Sequence, residues 1–183
     1  MGIEYHVAVH EAHWLSTEKL NACLADLKYP VQVIPASPAD MSKPLQDNPG
    51  SSGLTVALNA QQIELEASIK QLRPGEPFAY GLKIEKSKIA EGAILRPTGI
   101  DDFVPLDLND ELKKIGMNAP DFGYGDYVVS ITFRSSVDEY RAGFLLMAGL
   151  IRCANGLGFE FDSASYGGSS FAETLVQQAR EME

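Results

Sequence analysis

The stretch Ser136–Phe161, SVDEYRAGFLLMAGLIRCANGLGFEF, predicts a long buried helix followed by a short strand, and it decides the fold class. Ser136 stands three residues before Glu139, which is the spacing of a capping box at a helix start. No polar side chain occurs from Ala142 to Ile151, so this helix belongs inside the protein. Gly156 is the expected left-handed residue at the helix end.

The periodicity of the remaining sequence alternates between strands and helices. Apolar residues recur at every second position in residues 3–10, 62–72 and 127–134, as in strands with one buried face. Residues 16–28 carry an amphipathic helical stripe. Two further helices are predicted, one capped by Asn109 and one opened by a Ser170–Glu173 capping box.

This order predicts one α+β domain over residues 1–183, with a mainly antiparallel sheet and helices packed on one face. The opposite face of the sheet is expected to show polar side chains to water. These are His6, His10, Glu64, Glu66, Lys70, Ser130 and Arg134.

The charge balance narrows the possible partners. The net charge is −10 and the sequence pI is about 4.7, so few cations are available to neutralise phosphates. We therefore expect no nucleic-acid partner and no docking on an anionic membrane surface. A basic protein partner would be favoured by electrostatic steering, although acidity also serves solubility alone.

Two cysteines, Cys23 and Cys153, each fall in a helical pattern among apolar neighbours, and no CxxC motif occurs. This predicts buried, reduced thiols and, with them, a cytoplasmic location. The N-terminal residues 1–14 lack the apolar segment of a secretory signal. The apolar run in residues 142–151 is too short for a membrane span.

The chemistry-bearing residue types form no recognisable catalytic set. The histidines are His6, His10 and His13, and the HEAH sequence at 10–13 lacks the spacing of HExxH. Solvent-facing histidines at a strand end are favoured over a metal site. We predict no catalytic residues, no cofactor and no metal ligands.

The loop Asp121-Phe-Gly-Tyr-Gly-Asp126 mixes aromatic, glycine and acidic residues beside a predicted core strand. Tyrosine beside carboxylates is typical of binding hot spots for a basic partner. The candidate partner-binding residues are therefore Asp121, Tyr124 and Asp126, together with the acidic pair Asp101 and Asp102. The alternative is a structural turn whose rings pack on the core, with solvated acids around it.

Several segments also carry a resemblance: SGLTVALN with IELEASI, then DYVVSITFR, then an alanine-rich helix ending in ANGLGFEFD, then a serine-capped C-terminal helix. In this order they resemble a loose group of small, acidic and mostly uncharacterised bacterial proteins, some of which look like immunity proteins. The resemblance covers residues 53–72 and 126–180, and it supplies no catalytic residues.

The sequence thus favours a non-enzymatic, cytoplasmic protein-binding module of immunity-like character that engages a basic partner through acidic and aromatic loops. The alternative is a small enzyme or small-molecule binder with a pocket near residues 73–105. A purely structural homodimer is a third reading, although a monomer is preferred because other helices can cover the long helix. Any dimer interface would then lie elsewhere, along a sheet edge.

Overall fold

The computed structural model describes residues 2–82 and 103–183. The chain divides into two compact units, a larger one of Met1–Gln71 with Gly125–Glu183 and a smaller one of Leu72–Tyr124. The prediction of a single domain stays a prediction, because two contact units can belong to one domain.

The described elements follow one another in an α+β order. The strands are β1 Ile3–Val9, β2 Val31–Ile34, β3 Gly53–Leu58, β4 Gln61–Gln71, β5 Ala79–Leu82, β6 Phe103–Leu106, β7 Tyr127–Phe133, β8 Leu157–Glu160 and β9 Ser165–Gly167. The α-helices are α1 Thr17–Asp26, α2 Leu108–Lys114, α3 Val137–Cys153 and α4 Ser169–Glu181, and short 3-10 turns occupy Glu11–His13 and Pro38–Ser42.

The larger unit is built on one sheet with the strand order β2-β3-β4-β7-β1-β8-β9. Every neighbouring pair in it is antiparallel. The register aligns His6 of β1 with Ser130 of β7, and Ser130 with Ser68 of β4. The predicted α+β class with a mainly antiparallel sheet is therefore confirmed.

Helix α3 is the centre of the core. Its buried residues extend without interruption from Ala142 to Ile151, and they join one cluster with β1, β7, α1 and α4. The strands contribute their alternating apolar positions, which include Val7, Ile131 and Phe133. One face of the sheet is thereby covered by helices, as the strand periodicity predicts.

The two ends of α3 compare differently with the sequence patterns. Ser136 caps the start as predicted, since its side chain accepts a hydrogen bond from the Glu139 N–H. The predicted stop at Gly156 is wrong, because Asn155 adopts the left-handed conformation, with φ of 50°. Gly156 serves a different purpose, since a Cβ there would lie 2.8 Å from Val7 Cγ1.

The caps predicted for α2 and α4 are also wrong. The last helix begins at Ser169 and its N-cap is Gly168, so Ser170 lies inside the first turn. Asp107, not Asn109, caps α2 through a hydrogen bond from the Asp110 N–H. In both cases a second residue with capping or turn chemistry stands next to the helix start, and sequence alone does not choose between them.

The prediction of reduced thiols is wrong, because Cys23 and Cys153 form a disulfide. Cys23 lies on α1 and Cys153 ends α3, 130 residues later. The two helices approach closely, since a Cβ on Gly149 would collide with the side chain of Leu24. The contact is non-local. Each cysteine lies in its own helical pattern, so the sequence predicts two separate core residues and does not indicate that they meet.

The expectation that His6 faces water is wrong as well. The residue is 4% exposed, and its ring stacks on Phe159 at a centroid distance of 5.0 Å. Phe161 approaches the same ring at 5.4 Å. Aromatic side chains contributed from β8 and the residue after it bury a position that the alternation of β1 assigns to solvent.

The edge strand β2 is held by a side chain of α1. Asn21 Nδ2 donates a 2.9 Å hydrogen bond to the Val33 carbonyl, and the Val33 N–H donates one of 2.8 Å to Asn21 Oδ1. One side chain thus satisfies both backbone groups of Val33.

In the described ranges, no helix is both long and apolar enough to cross a membrane. The smaller unit contains the antiparallel pair β5–β6, with Ala79 opposite Leu106, followed by α2.

Candidate partner-binding cleft

A cleft of about 480 Å³ lies within the smaller unit. Its described walls are the chain before β5, the end of β6 with the start of α2, and the loop before β7. Most of the lining is apolar or aromatic, with three rings, two prolines and three leucines; these residues are Leu72, Pro77, Phe78, Pro105, Leu106, Leu108, Phe122 and Tyr124. Cavities of this volume and character are typical binding sites.

Backbone pairing positions the first wall. The Phe78 N–H donates a 3.0 Å hydrogen bond to the Leu106 carbonyl, next to the β5–β6 ladder that begins with Ala79 opposite Leu106. The ring of Phe78 therefore projects from a segment that is tied to the opposite wall, and both contribute to one surface.

Asn109 positions the second ring. Its Nδ2 donates a 2.7 Å hydrogen bond to the Phe122 carbonyl, and its Oδ1 accepts one of 3.1 Å from the Phe122 N–H. This pairing fixes the loop against α2 at the residue before Gly123. The residue predicted to cap the helix therefore holds the loop of the candidate site.

The predicted partner-binding residues fall in different places. Tyr124 lines the cleft and is 71% exposed. Asp121 is exposed in the same loop but does not line the cleft. Asp101 and Asp102 lie outside the described residues.

Asp126 belongs to the larger unit, and its carboxylate is engaged there. Oδ2 lies 3.2 Å from His10 Nδ1, and Oδ1 accepts a 2.9 Å hydrogen bond from the Glu11 N–H. The side chain is only 14% exposed. Asp126 thus caps the turn at Glu11–His13. Its contacts give the first two residues of the HEAH sequence, His10 and Glu11, a structural role.

Two acids outside the predicted set of partner-binding residues complete the cleft. Of the described lining residues, only Glu76 and Asp107 carry a formal charge, and both are exposed carboxylates. Asp107 uses Oδ1 to cap α2, which leaves lone pairs on Oδ2 for a further donor. Two predictions pointed toward this site, the aromatic loop and the alternative pocket near residues 73–105. The acids on the other walls are 14 residues or more from the loop in the chain.

Charge is distributed unevenly between the two units. The larger unit carries 8 Lys and Arg against 16 Asp and Glu, a net −8, whereas the smaller unit carries 7 against 9, a net −2. The long-range field that attracts cations therefore originates mostly in the larger unit.

Outside the cleft, one row of side chains resembles a catalytic arrangement. His6 Nδ1 lies 2.7 Å from Ser130 Oγ, and Nε2 lies 3.5 Å from Glu4 Oε1. Burial lowers the pKa of His6 to about 4, although the Glu160 carboxylate opposes that shift. A ring with so low a pKa is a weak general base at neutral pH, so it activates Ser130 little. A buried histidine satisfied by a hydroxyl explains the geometry.

The histidines do not converge on a metal site in the structure. In residues 2–82 and 103–183, no three or more His, Cys, Asp or Glu side chains are arranged to hold a metal ion. His10 is instead paired with Asp126.

Comparisons with known proteins give no match from which a function of the cleft could be inferred. No protein-family model matches the chain, and no curated protein or solved structure matches it.

Proposed function

We propose that the protein is a non-enzymatic binding module that holds a basic segment of a partner protein in the cleft of the Leu72–Tyr124 unit. The observation that supports this most is the composition of the cleft, where three aromatic rings and two carboxylates line one space. Aromatic anchors in a pocket are the residues that contribute most to protein interfaces.

The distribution of exposed apolar residues also supports binding by this unit. Among described residues, Tyr80, Phe103, Val104 and Tyr124 are large hydrophobic side chains that are exposed in the smaller unit. Tyr80, Phe103 and Val104 lie on the paired strands β5 and β6, and an exposed apolar patch marks an interaction site more often than it marks ordinary surface.

The net charge of −10 supports a basic partner. Attraction between the larger unit and a cationic protein would raise the association rate, while the cleft would supply the close contacts. This division predicts a strong dependence of the association rate on salt.

The immunity-like character and the cytoplasmic location remain parts of this proposal. The first rests on the resemblance of residues 53–72 and 126–180. The second has lost its main support, because the disulfide contradicts reduced thiols and disulfides are rare in reducing compartments. Trapping the thiols in intact cells with an alkylating reagent tests the location.

The proposed function is tested by affinity capture from native cells with the wild-type protein and with Tyr124→Ala, compared by quantitative mass spectrometry. A basic protein captured by the wild type and lost with Tyr124→Ala supports the proposal. Glu173→Gln, which removes an exposed acid of the larger unit, is the matched control and should capture the same protein. Equal capture by wild type and Tyr124→Ala would refute a role for the cleft.

A second function, small-molecule binding in the same cleft, is favoured by its volume of about 480 Å³. That value falls in the range of ordinary ligand pockets. Native mass spectrometry of protein purified from its own host distinguishes the two, since a retained small molecule adds a discrete mass.

A further inference from the structure

We infer that the group recognised in the cleft is an arginine side chain of the partner's basic segment; this inference rests on the proposed function. The charged residues of the cleft favour a ligand with a positive charge. Its charged lining residues in the described part of the chain are Glu76 and Asp107, so a cationic group meets two carboxylates there. An anionic occupant would meet repulsion from both.

The aromatic rings of the cleft also favour a cationic group. Phe78, Phe122 and Tyr124 line the same cleft as the two acids, and aromatic faces attract cations within about 6 Å of the ring centre. Tyr124 is 71% exposed, so its ring is accessible from solvent, where an incoming side chain would arrive.

Arginine fits this combination better than lysine. Its guanidinium is planar, stacks on aromatic faces, and presents several N–H donors to carboxylates. It is also less strongly hydrated than an ammonium group, so it loses less when it leaves water. The hydrogen bonds from Asn109 to Phe122 and from Phe78 to Leu106 hold the walls in place before binding.

The direct test is an NMR titration of the ¹⁵N-labelled protein with three blocked pentapeptides. Each has glycines around one central residue, which is arginine, lysine or citrulline, the neutral isostere of arginine. We expect the arginine peptide to shift the amides of Gly123 and Tyr124, to bind several-fold tighter than the lysine peptide, and to bind at least about tenfold tighter than the citrulline peptide.

Matched variants identify the groups that produce this preference. Glu76→Gln with Asp107→Asn removes both charges, while asparagine retains the ability to cap α2; we expect about a tenfold loss for the arginine peptide and little change for citrulline. Tyr124→Leu keeps an apolar side chain without the ring face and should lose about two- to fivefold. Glu173→Gln, at an exposed position of the larger unit, is the control and should bind within twofold of wild type.

The inference and the proposed function fail in different ways. If citrulline binds as tightly as arginine, or if the arginine peptide shifts no cleft residue at its highest soluble concentration, arginine recognition is overturned. Capture of a partner that depends on Tyr124 would still support the proposed function in that case. If capture does not depend on Tyr124, the proposed function fails whatever the peptides do.

Discussion

Asn109 pairs with the backbone of Phe122 through two hydrogen bonds, of 2.7 Å to its carbonyl and 3.1 Å from its N–H. The Asn109 amide therefore bonds the N–H and the carbonyl of Phe122 as a neighbouring β-strand would, although the loop itself is irregular. Because both backbone groups of Phe122 are bonded to one side chain, the position of the loop should be sensitive to that side chain.

Replacing Asn109 with alanine should free the Phe122 segment from α2. The loss of two hydrogen bonds should cost about 1–3 kcal/mol of local stability, which corresponds to a five- to 150-fold loss of protection of the Phe122 amide in hydrogen exchange. Asn118→Ala, at an exposed position of the same unit, should leave that protection unchanged. Equal protection in both variants would show that Asn109 does not hold the loop.

Reducing the Cys23–Cys153 disulfide should destabilise the larger unit strongly. Because the bond joins residues 130 positions apart, the chain-entropy estimate for its contribution is on the order of 5 kcal/mol. Urea unfolding with and without a reductant measures the difference. A Cys23→Ser/Cys153→Ser double variant should unfold near the reduced midpoint and should not respond to reductant.

The thiol state gives an independent check of the same bond. The protein should show no reaction with a maleimide reagent until it is reduced, whether it is folded or unfolded, because both cysteines are in the disulfide. Two labels per chain on unreduced, unfolded protein would contradict the disulfide.

Acidification should destabilise the protein through His6. Its folded-state pKa of about 4 lies below the ordinary 6.5, so the unfolded chain binds the proton first. The contribution is fully present above pH 6.5 and is lost as the pH falls toward 4. The difference of the two pKa values corresponds to about 3 kcal/mol.

Neighbouring groups must be separated from this effect. Burial, with the nearby Glu66 carboxylate, raises the pKa of Glu4. The effect of Glu4 on stability is therefore opposite to that of His6, because Glu4 favours the folded state as the pH falls through its raised pKa. Glu160 also faces His6. Urea midpoints from pH 7.5 to 4 should fall less steeply for His6→Phe than for wild type, and more steeply for Glu4→Gln. Parallel curves for wild type and His6→Phe would refute the assignment.

Gly143 should not tolerate alanine despite its position in a helix. Helix propensity alone favours alanine by about 1 kcal/mol, but a Cβ at this position would collide with the Phe133 ring. We expect a net loss of about 1–3 kcal/mol from overpacking. Gly149→Ala is the comparison, because its Cβ would meet only the flexible end of Leu24, and it should cost less. The reverse order in urea midpoints would contradict this account of the core.

The sequence predicts the elements of the larger unit well where one face decides the pattern. Strands β1, β4 and β7 alternate over six or more residues, and Ser136 marks the start of α3. Local patterns of this kind depend only on residues within one helix or strand, so a single sequence is enough to predict these elements.

What the sequence does not reveal depends on contacts between distant elements. The disulfide requires the crossing of α1 over α3, and the burial of His6 requires Phe159 and Phe161 from another part of the chain. The cleft is partly predictable, because the 121–126 loop identifies Tyr124. Glu76 and Asp107 join it only through the folding of the smaller unit.

The hydrogen bonds between Asn21 and Val33 have a consequence for self-association. An open sheet edge offers its outward N–H and C=O groups to a strand from another molecule, which is how sheets extend into fibrils. At β2 those groups of Val33 are already occupied by Asn21, and the opposite edge, β9, is only three residues long. Both edges of the seven-stranded sheet are thus poor templates for another strand, so edge-to-edge pairing of two copies is disfavoured.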